Sequence, residues 1–296
     1  MISNLGKPQW LKIRPPNTES FNSIKDTIAK LKLHTVCQEA HCPNMSECWS
    51  GGTATFMVMG GTCTRGCRFC SVESAAKGET LDPIEPKKLA YAVKEFGLDY
   101  VVITSVDRDD LSDQGAGHFA KCIETLRELV PNVLVEVLTP DFRGDFDCIK
   151  TVIDAQPTVF AHNIETVKRL QKYARDPRAN YEQSLKVLKT AKELNSEIFT
   201  KSSIIVGFGE KEEEVIETMK DLRAVGVDIL TIGQYLRPSD WHLPVSEYVS
   251  LEKFKFYEQK GLELGFKYVA SGPFVRSSYK AGELFVKNLV KRNESE

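Results

Sequence analysis

Three cysteines, Cys63, Cys67 and Cys70, stand in the pattern C-x3-C-x2-C within GGTCTRGCRFCSV, with Phe69 just before the last. Thiolates this close can face one inorganic core, and three of them leave it one ligand short. Iron–sulfur clusters are normally held by four cysteines, so a compact three-cysteine loop points to an iron kept open for an outside ligand. A structural zinc site wants four closed ligands, which this loop does not supply. Gly60, Gly61 and Gly66 are expected to let the backbone bend around a cluster without Cβ clashes.

A second group, Cys37, Cys42 and Cys48, follows the spacing C-x4-C-x5-C and is again one ligand short. Zinc completed by His41 or His34 is the alternative, but the spacings match no common zinc pattern. A second iron–sulfur cluster, its fourth ligand supplied from elsewhere, is the preferred reading. Six of the eight cysteines fall between Cys37 and Cys70, a crowding that reads as metal binding in a reducing compartment. The other two are expected to be core thiols. Cys122 shares a helical face with Phe119, Ile123 and Leu126, and Cys148 neighbours Ile149 and Val152.

These ligands need a scaffold, and 296 residues can bury a large core. The formal net charge of −2 argues against nucleic acid as the main partner, since phosphate binding needs a basic surplus. No apolar run has the length to span a bilayer, and the opening residues carry neither an export nor an import pattern. A cytoplasmic protein is expected.

Residues 1–54 read as irregular, with a short helical candidate near 23–33. From residue 53 onward, short β-branched runs alternate with helix-period stretches, predicting βα units around a parallel sheet. The strand candidates are 54–59, 100–104, 133–138, 159–162, 199–206 and 229–234. The helix candidates between them are 86–96, 117–129, 145–154, 166–173, 181–193 and 210–224. Two further helices, 251–264 and 280–292, flank an extended stretch at 267–275. Six units are fewer than the eight of a closed barrel. The expected fold is therefore α/β, an open, partial (β/α)6 TIM-type barrel over residues 53–264. An N-terminal extension (1–52) carries the first cysteine trio, and a C-terminal extension (265–296) carries RSSY. In such barrels chemistry lies at the C-terminal strand ends. The Cys63–Cys70 loop follows the first strand, and Ser105 and Asp107 follow the second. Thr139 and Asp141 follow the third, Asn163 and Glu165 the fourth, Gly207 and Gly209 the fifth, Gln234 and Arg237 the sixth. Asp107, Asp109 and Asp110 are read as a solvated loop, with a carboxylate cluster as the alternative. Arg175, Asp176 and Arg178 are read as substrate contacts or helix caps, and His118 and His242 as surface or catalytic histidines.

With these residues in place, the chain resembles the radical S-adenosylmethionine enzymes and, within them, the lipoyl synthase family. The resemblance runs through WLKIRPP, CQEAHCPNMSECW, FMVMGGTCTRGCRFCSV, TSVDRDDL, VLTPDF, HNIETV, GQYLRPS, HLPV and GPFVRSSYKA. A lone C-x3-C-x2-C would give only the superfamily; the six cysteines combined with RSSYKA are far more specific. The resemblance implies two [4Fe–4S] clusters. Cys63, Cys67 and Cys70 would bind the first, its open iron chelated by the amino and carboxylate groups of S-adenosylmethionine. One electron into the S–C5′ bond then yields a 5′-deoxyadenosyl radical that can take hydrogen from an unactivated carbon. Cys37, Cys42 and Cys48 would hold the auxiliary cluster with a serine of RSSY, mapped to Ser278 with Ser277 as fallback. That cluster would be the source of sulfur inserted at C6 and C8 of a protein-bound octanoyl-lysine.

The implied partners are octanoylated lipoyl carrier domains (a 2-oxoacid dehydrogenase E2 or the glycine cleavage H protein) and a low-potential electron donor. Thr104 and Ser105 are assigned to the methionine end of the cofactor, Asn163 and Glu165 to the ribose or amine, Gln234 and Tyr235 to the adenine. The Gly-Gly-Glu common after the second strand of the superfamily is replaced by Ser105-Val106-Asp107, and Ser203 stands where a glycine is expected. Two rival readings are another radical enzyme with an auxiliary cluster and a zinc-stabilised scaffold without chemistry.

Overall fold

Runs rich in β-branched residues become strands buried on both faces, as expected where helices cover both sides of a parallel sheet. All four residues of Thr55–Val58 and all six of Ile229–Gln234 are buried. The structure, a computed structural model, describes residues 8, 10–11, 19–50, 55–278 and 286. Its strands in chain order are β1 (His34–Thr35), β2 (Thr55–Val58), β3 (Thr62–Cys63), β4 (Glu73–Ser74), β5 (Tyr100–Ser105), β6 (Leu134–Leu138), β7 (Val159–Ala161), β8 (Phe199–Val206), β9 (Ile229–Gln234) and β10 (Tyr268–Gly272). Eight form one sheet in the order β1-β2-β5-β6-β7-β8-β9-β10, and β3 and β4 form a separate two-stranded clasp. Every pairing in the large sheet is parallel except β1 with β2. β1 and β10 end the order without pairing to each other, so the barrel is open, as the sequence predicts.

All six expected strands are present, and the extended stretch at 267–275 supplies a seventh parallel one, β10. The two extensions therefore do more than pack on the barrel: one contributes the antiparallel edge strand β1, the other β10. The register aligns the C-terminal strand ends on one rim, with Val58 opposite Ser105, Thr104 opposite Leu138, Leu138 opposite Ala161 and Val206 opposite Gln234.

Helices follow the expected spans closely where a capping side chain fixes the start. Asn180 accepts from Gln183 N ahead of Tyr181–Leu194, Asp145 from Cys148 N ahead of Phe146–Asp154, and Ser250 from Lys253 N ahead of Leu251–Glu263. The single helix expected at 166–173 is instead a 3-10 turn, Lys168–Leu170, followed by Gln171–Ala174; neither start has a side-chain cap. The N-terminal region is more ordered than its irregular sequence suggests. Helix Glu19–Leu31 packs Ile24 and Ile28 into the core with Trp49 and Phe56, and the short helices Val36–Glu39 and Met45–Ser50 carry Cys37 and Cys48. The expected helix 280–292 lies outside the described residues except Val286, which is fully buried with Tyr100, Val102, Val159 and Ile229.

Candidate active site

The chain leaves β2 through two successive left-handed residues, Met59 (φ +70°) and Gly60 (φ +88°). Glycine is required at the second. A Cβ there would stand 2.7 Å from Glu79, whose carboxylate accepts from Gly61 N at 2.7 Å. Gly66 does not have that steric role: its φ is not left-handed, and an added Cβ would meet no atom. Its contribution is an N–H donated to Asp176 Oδ2 at 2.9 Å.

The loop from Cys63 to Ser74 is closed at its base by the β3–β4 clasp and tied to three rim loops. Thr64 N donates to Asp107 O (2.9 Å), Arg68 N to Ala174 O (2.9 Å) and Leu243 N to Arg68 O (3.1 Å), while His242 Nε2 lies 2.9 Å from Cys70 O. Asp176 N donates to Cys67 Sγ at 3.4 Å and Arg65 N to Cys63 Sγ at 3.4 Å. Arg178 joins the bracing, donating to Thr64 O at 2.6 Å.

Behind the loop, Arg65 is buried in a cage of carboxylates. It reaches Asp141 at 2.7 and 2.8 Å, Asp109 at 2.9 and 3.0 Å, and Asp107 at 3.3 Å. Of the two readings of that acidic stretch, the carboxylate cluster holds around Arg65: the Asp109 side chain is buried, while Asp110, on an exposed position, pairs with Arg108. Burial pushes the Asp109 and Asp141 carboxyls up, but the Arg65 bonds and charge outweigh it and hold both below the usual range.

Cys63, Cys67 and Cys70 line a cavity of about 280 Å³. Four of the predicted cofactor residues, Thr104, Ser105, Asn163 and Glu165, line it too. Gln234 and Tyr235 do not. The Gln234 amide is committed to Glu247 O and Val249 N, and Tyr235 OH to Leu243 O. Glu165 is held at φ +66°, in a region a non-glycine residue rarely adopts, with its carboxylate accepting from Asn163 Nδ2.

Val36 and Ala40, which flank Cys37 and Cys42, and Ser277 also line this cavity. The segment that carries the other trio thus adjoins the cavity, although Cys37, Cys42 and Cys48 do not themselves line it. Ser71, beside Cys70, donates to Glu39 O at 3.1 Å and lies 3.4 Å from His41 Nδ1. The C-terminal extension folds onto the first trio: Asn44 Nδ2 donates to Phe274 O at 2.6 Å, and the Arg276 charge acts on Cys42. Ser277 and Ser278 share the following turn, and of the two it is Ser277 that lines the cavity.

Burial, with the Asp107 charge, pushes the Cys63 and Cys67 thiols up to about 12, and burial with Glu165 takes Cys70 to about 11. Cys37 rises to about 11 through burial. Thiolates in such surroundings need a cationic centre to neutralise them. Cys122 is raised by burial as well, so the shift alone does not mark a ligand; what sets Cys63, Cys67 and Cys70 apart is that all three line one cavity. Cys122 and Cys148 sit in the hydrophobic core as expected.

Two further residues line the cavity: Arg175, read from sequence as a substrate contact or helix cap, and His162, which the sequence reading did not single out. Arg175 is 7 % exposed; among the described residues its guanidinium bonds only to the neutral oxygens of Gln171 and Ser184, and its Nε has no partner. His162 continues that chain: its Nδ1 donates to Thr139 O, and Nε2 accepts from Ser184 Oγ, both at 2.9 Å. The carbonyl acceptor fixes the neutral tautomer, and burial, then the Arg175 charge, lower its pKa to about 4. An unfolded histidine takes up its proton near 6.5. Stability should therefore be full above pH 6.5 and fall by up to about 3 kcal/mol as pH drops to 4. Thermal melts of the parent and a His162→Gln variant across that window check this; the variant should lack the histidine's share of the loss.

Seven parallel strands, an open rim and a three-cysteine loop after the first of them define a radical S-adenosylmethionine enzyme. Residues 57–222 match the family model of the radical SAM superfamily. The fold agrees with the crystal structure of methylornithine synthase (TM-score 0.57, 14% identity, 86% of this chain and 75% of that one). Residues 2–42 match the N-terminal domain of lipoyl synthase of the radical SAM family. The chain is 60% identical over 284 residues to lipoyl synthase of Anaeromyxobacter dehalogenans, covering 96% of each. To the mitochondrial lipoyl synthase of Rattus norvegicus it is 56% identical over 293 residues, 97% of this chain and 79% of that one. The chain belongs to the lipoyl synthase family. Membership implies an iron–sulfur cluster and S-adenosylmethionine as cofactors. No helix among the described residues is long and apolar enough to cross a membrane.

Proposed function

We propose that this chain inserts two sulfur atoms, at C6 and C8, into a protein-bound octanoyl-lysine, forming the lipoyl group. The single observation that carries the reading is one cavity lined both by the Cys63, Cys67 and Cys70 loop and by residues of the Cys37, Cys42 and Cys48 segment. The reading takes two clusters, one for each cysteine trio. Cys63, Cys67 and Cys70 would hold one and leave an iron open; Cys37, Cys42 and Cys48 would hold the other with Ser278, or Ser277. When bound, the clusters and S-adenosylmethionine supply a one-electron cleavage, a radical able to take hydrogen from an alkyl chain, and the inserted sulfur.

The chain's own residues position these groups. Thr104 and Ser105 would meet the methionine end, and Asn163 and Glu165 the ribose or amine. Arg175, a buried cation with a donor to spare, suits the carboxylate. Gln234 and Tyr235 would act only from behind, holding the end of β9 to residues 243–249. Apolar side chains of Val36, Met57, Phe69, Val72, Leu138 and Ile205 would take the octanoyl chain and exclude water from the reactive carbon. The acceptor would be an octanoylated lipoyl domain or glycine cleavage H protein, the electron source a low-potential donor, and the compartment the cytoplasm.

The test is anaerobic turnover of reconstituted protein with reductant, S-adenosylmethionine and an octanoyl-lysine carrier. Addition of two sulfurs to the carrier is expected. Formation of 5′-deoxyadenosine without sulfur transfer would favour a different radical enzyme.

A further inference from the structure

Beside the cysteine loop the chain makes an arch at residues 237–242. Arg237 donates to the carbonyls of both Asp240 and His242, and its Nη1 lies 3.2 Å from Asp240 Oδ1. His242 N donates to Ser239 O, His242 Nδ1 lies 2.8 Å from Ser239 Oγ, and Nε2 meets Cys70 O. The backbone on both sides of Trp241 is thus pinned, and pinned to the loop that lines the cavity. Yet Trp241 itself is 95 % exposed. A bare indole on a rigid support is costly in water, and tryptophan is among the residues that most often anchor protein interfaces. A side chain held in place before contact also loses less entropy on binding.

Two further cations lie beside the arch, whose own exposed carboxylate, Asp240, is paired with Arg237. Arg68, whose carbonyl accepts from Leu243 N, places its guanidinium carbon over the Tyr173 ring, 5.0 Å from its centre, and donates to Tyr173 O. Lys172 next to it is exposed, and neither cation is paired with a carboxylate among the described residues. Tyr173 is itself 39 % exposed. Two exposed aromatic residues linked through Arg68, with two cations unpaired among the described residues, match a folded partner with an acidic face and an apolar spot.

We propose that the Trp241 arch, with Arg68, Lys172 and Tyr173, is the docking surface for the acidic carrier domain whose octanoyl-lysine enters the adjoining cavity. The proposal rests on the sulfur-insertion reading above. In it, the arch holds the carrier body while the acyl-lysine arm passes the Cys67–Cys70 side of the loop. Opposite charge steers the encounter, and the indole sets how long it lasts.

The experiment compares two substrates with the reconstituted holoenzyme: an octanoylated carrier domain and a short octanoyl-lysyl peptide. Trp241→Ala should raise the Kd for the domain about tenfold or more, measured by anisotropy of a labelled domain. Turnover of the peptide and the melting temperature should stay unchanged, because the indole touches almost nothing. Trp241→Tyr should restore most of the affinity. Lys172→Glu should weaken the domain and flatten the salt dependence of its binding. Unchanged domain affinity in Trp241→Ala would overturn the proposal, as would an equal loss on the peptide. A parent that thiolates the peptide but does not bind the domain would overturn the surface and spare the reaction. A parent that does neither would overturn both.

Discussion

An Arg65→Met variant is expected to lose about 3–5 kcal/mol of stability, because it leaves buried carboxylates without their cation. Domains of this kind have about 5–15 kcal/mol in total, so the loss is a large share. Asp141 and Asp109 each receive two bonds from that one guanidinium, and Asp107 lies within 3.3 Å of it. Arg65→Lys should fall between parent and Arg65→Met, since an ammonium restores the charge but not the two-sided fork. The dependence on pH has a definite sign. In the parent, Asp109 and Asp141 are held below their ordinary range. Their contribution is complete above the unfolded value near 3.9 and disappears as pH falls further. The gap between parent and variant should therefore be widest near neutrality and begin to narrow only as pH falls below about 4. Chemical denaturation followed from pH 7 down to about pH 2 checks it. A gap that stays constant across that range would mean the cage is not electrostatic. Because Arg65 lies between Cys63 and Cys67, loss of the cage should also lower the iron held by the loop.

The second large effect separates the two cysteine trios. Cys67→Ala is expected to abolish reductive cleavage of S-adenosylmethionine, together with everything downstream. Cys42→Ala should leave cleavage in place and abolish sulfur transfer. Each variant should retain about four of about eight irons per chain. The geometry supports the split. Cys67 belongs to the loop that shares the cavity with Asn163, Glu165 and Arg175. Cys42 lies under the C-terminal extension, beside Arg276. Equal loss of 5′-deoxyadenosine in both variants would show that the trios do not have separate tasks.

The scaffold was legible because strand-forming runs and helix-period segments alternate from residue 53 onward, and because βα folds place rim residues directly after strands. Thr104, Ser105, Asn163 and Glu165 follow that rule and line the cavity. Gln234 obeys it in sequence but not in space. β9 is buried at every residue, so alternation does not distinguish its two faces, and the Gln234 amide turns to residues 247–249. The short helices bearing Cys37 and Cys48 have four and six residues, too few for a period to show. The Arg65 cage was hidden for another reason. Its partners lie 44 and 76 positions away on separate rim loops, and local spacing carries no record of such a meeting. Asp107, Asp109 and Asp110 read as a solvated stretch until the cation between the loops is placed. His162 and Arg175 are joined only through Ser184, on a third element. The RSSY segment was legible only through the family resemblance, since serines before a predicted helix otherwise read as caps.

On the proposed mechanism, sulfur leaves the site of one trio for a carbon activated beside the other. Protein reconstituted with heavy-isotope sulfide, given unlabelled medium and one octanoyl-lysyl carrier per chain, tests it directly by mass spectrometry of the carrier. Two heavy sulfurs on one octanoyl group are predicted from the parent, and none from Cys42→Ala. Inserted sulfur at the natural isotope ratio, or undiminished transfer by Cys42→Ala, would contradict it.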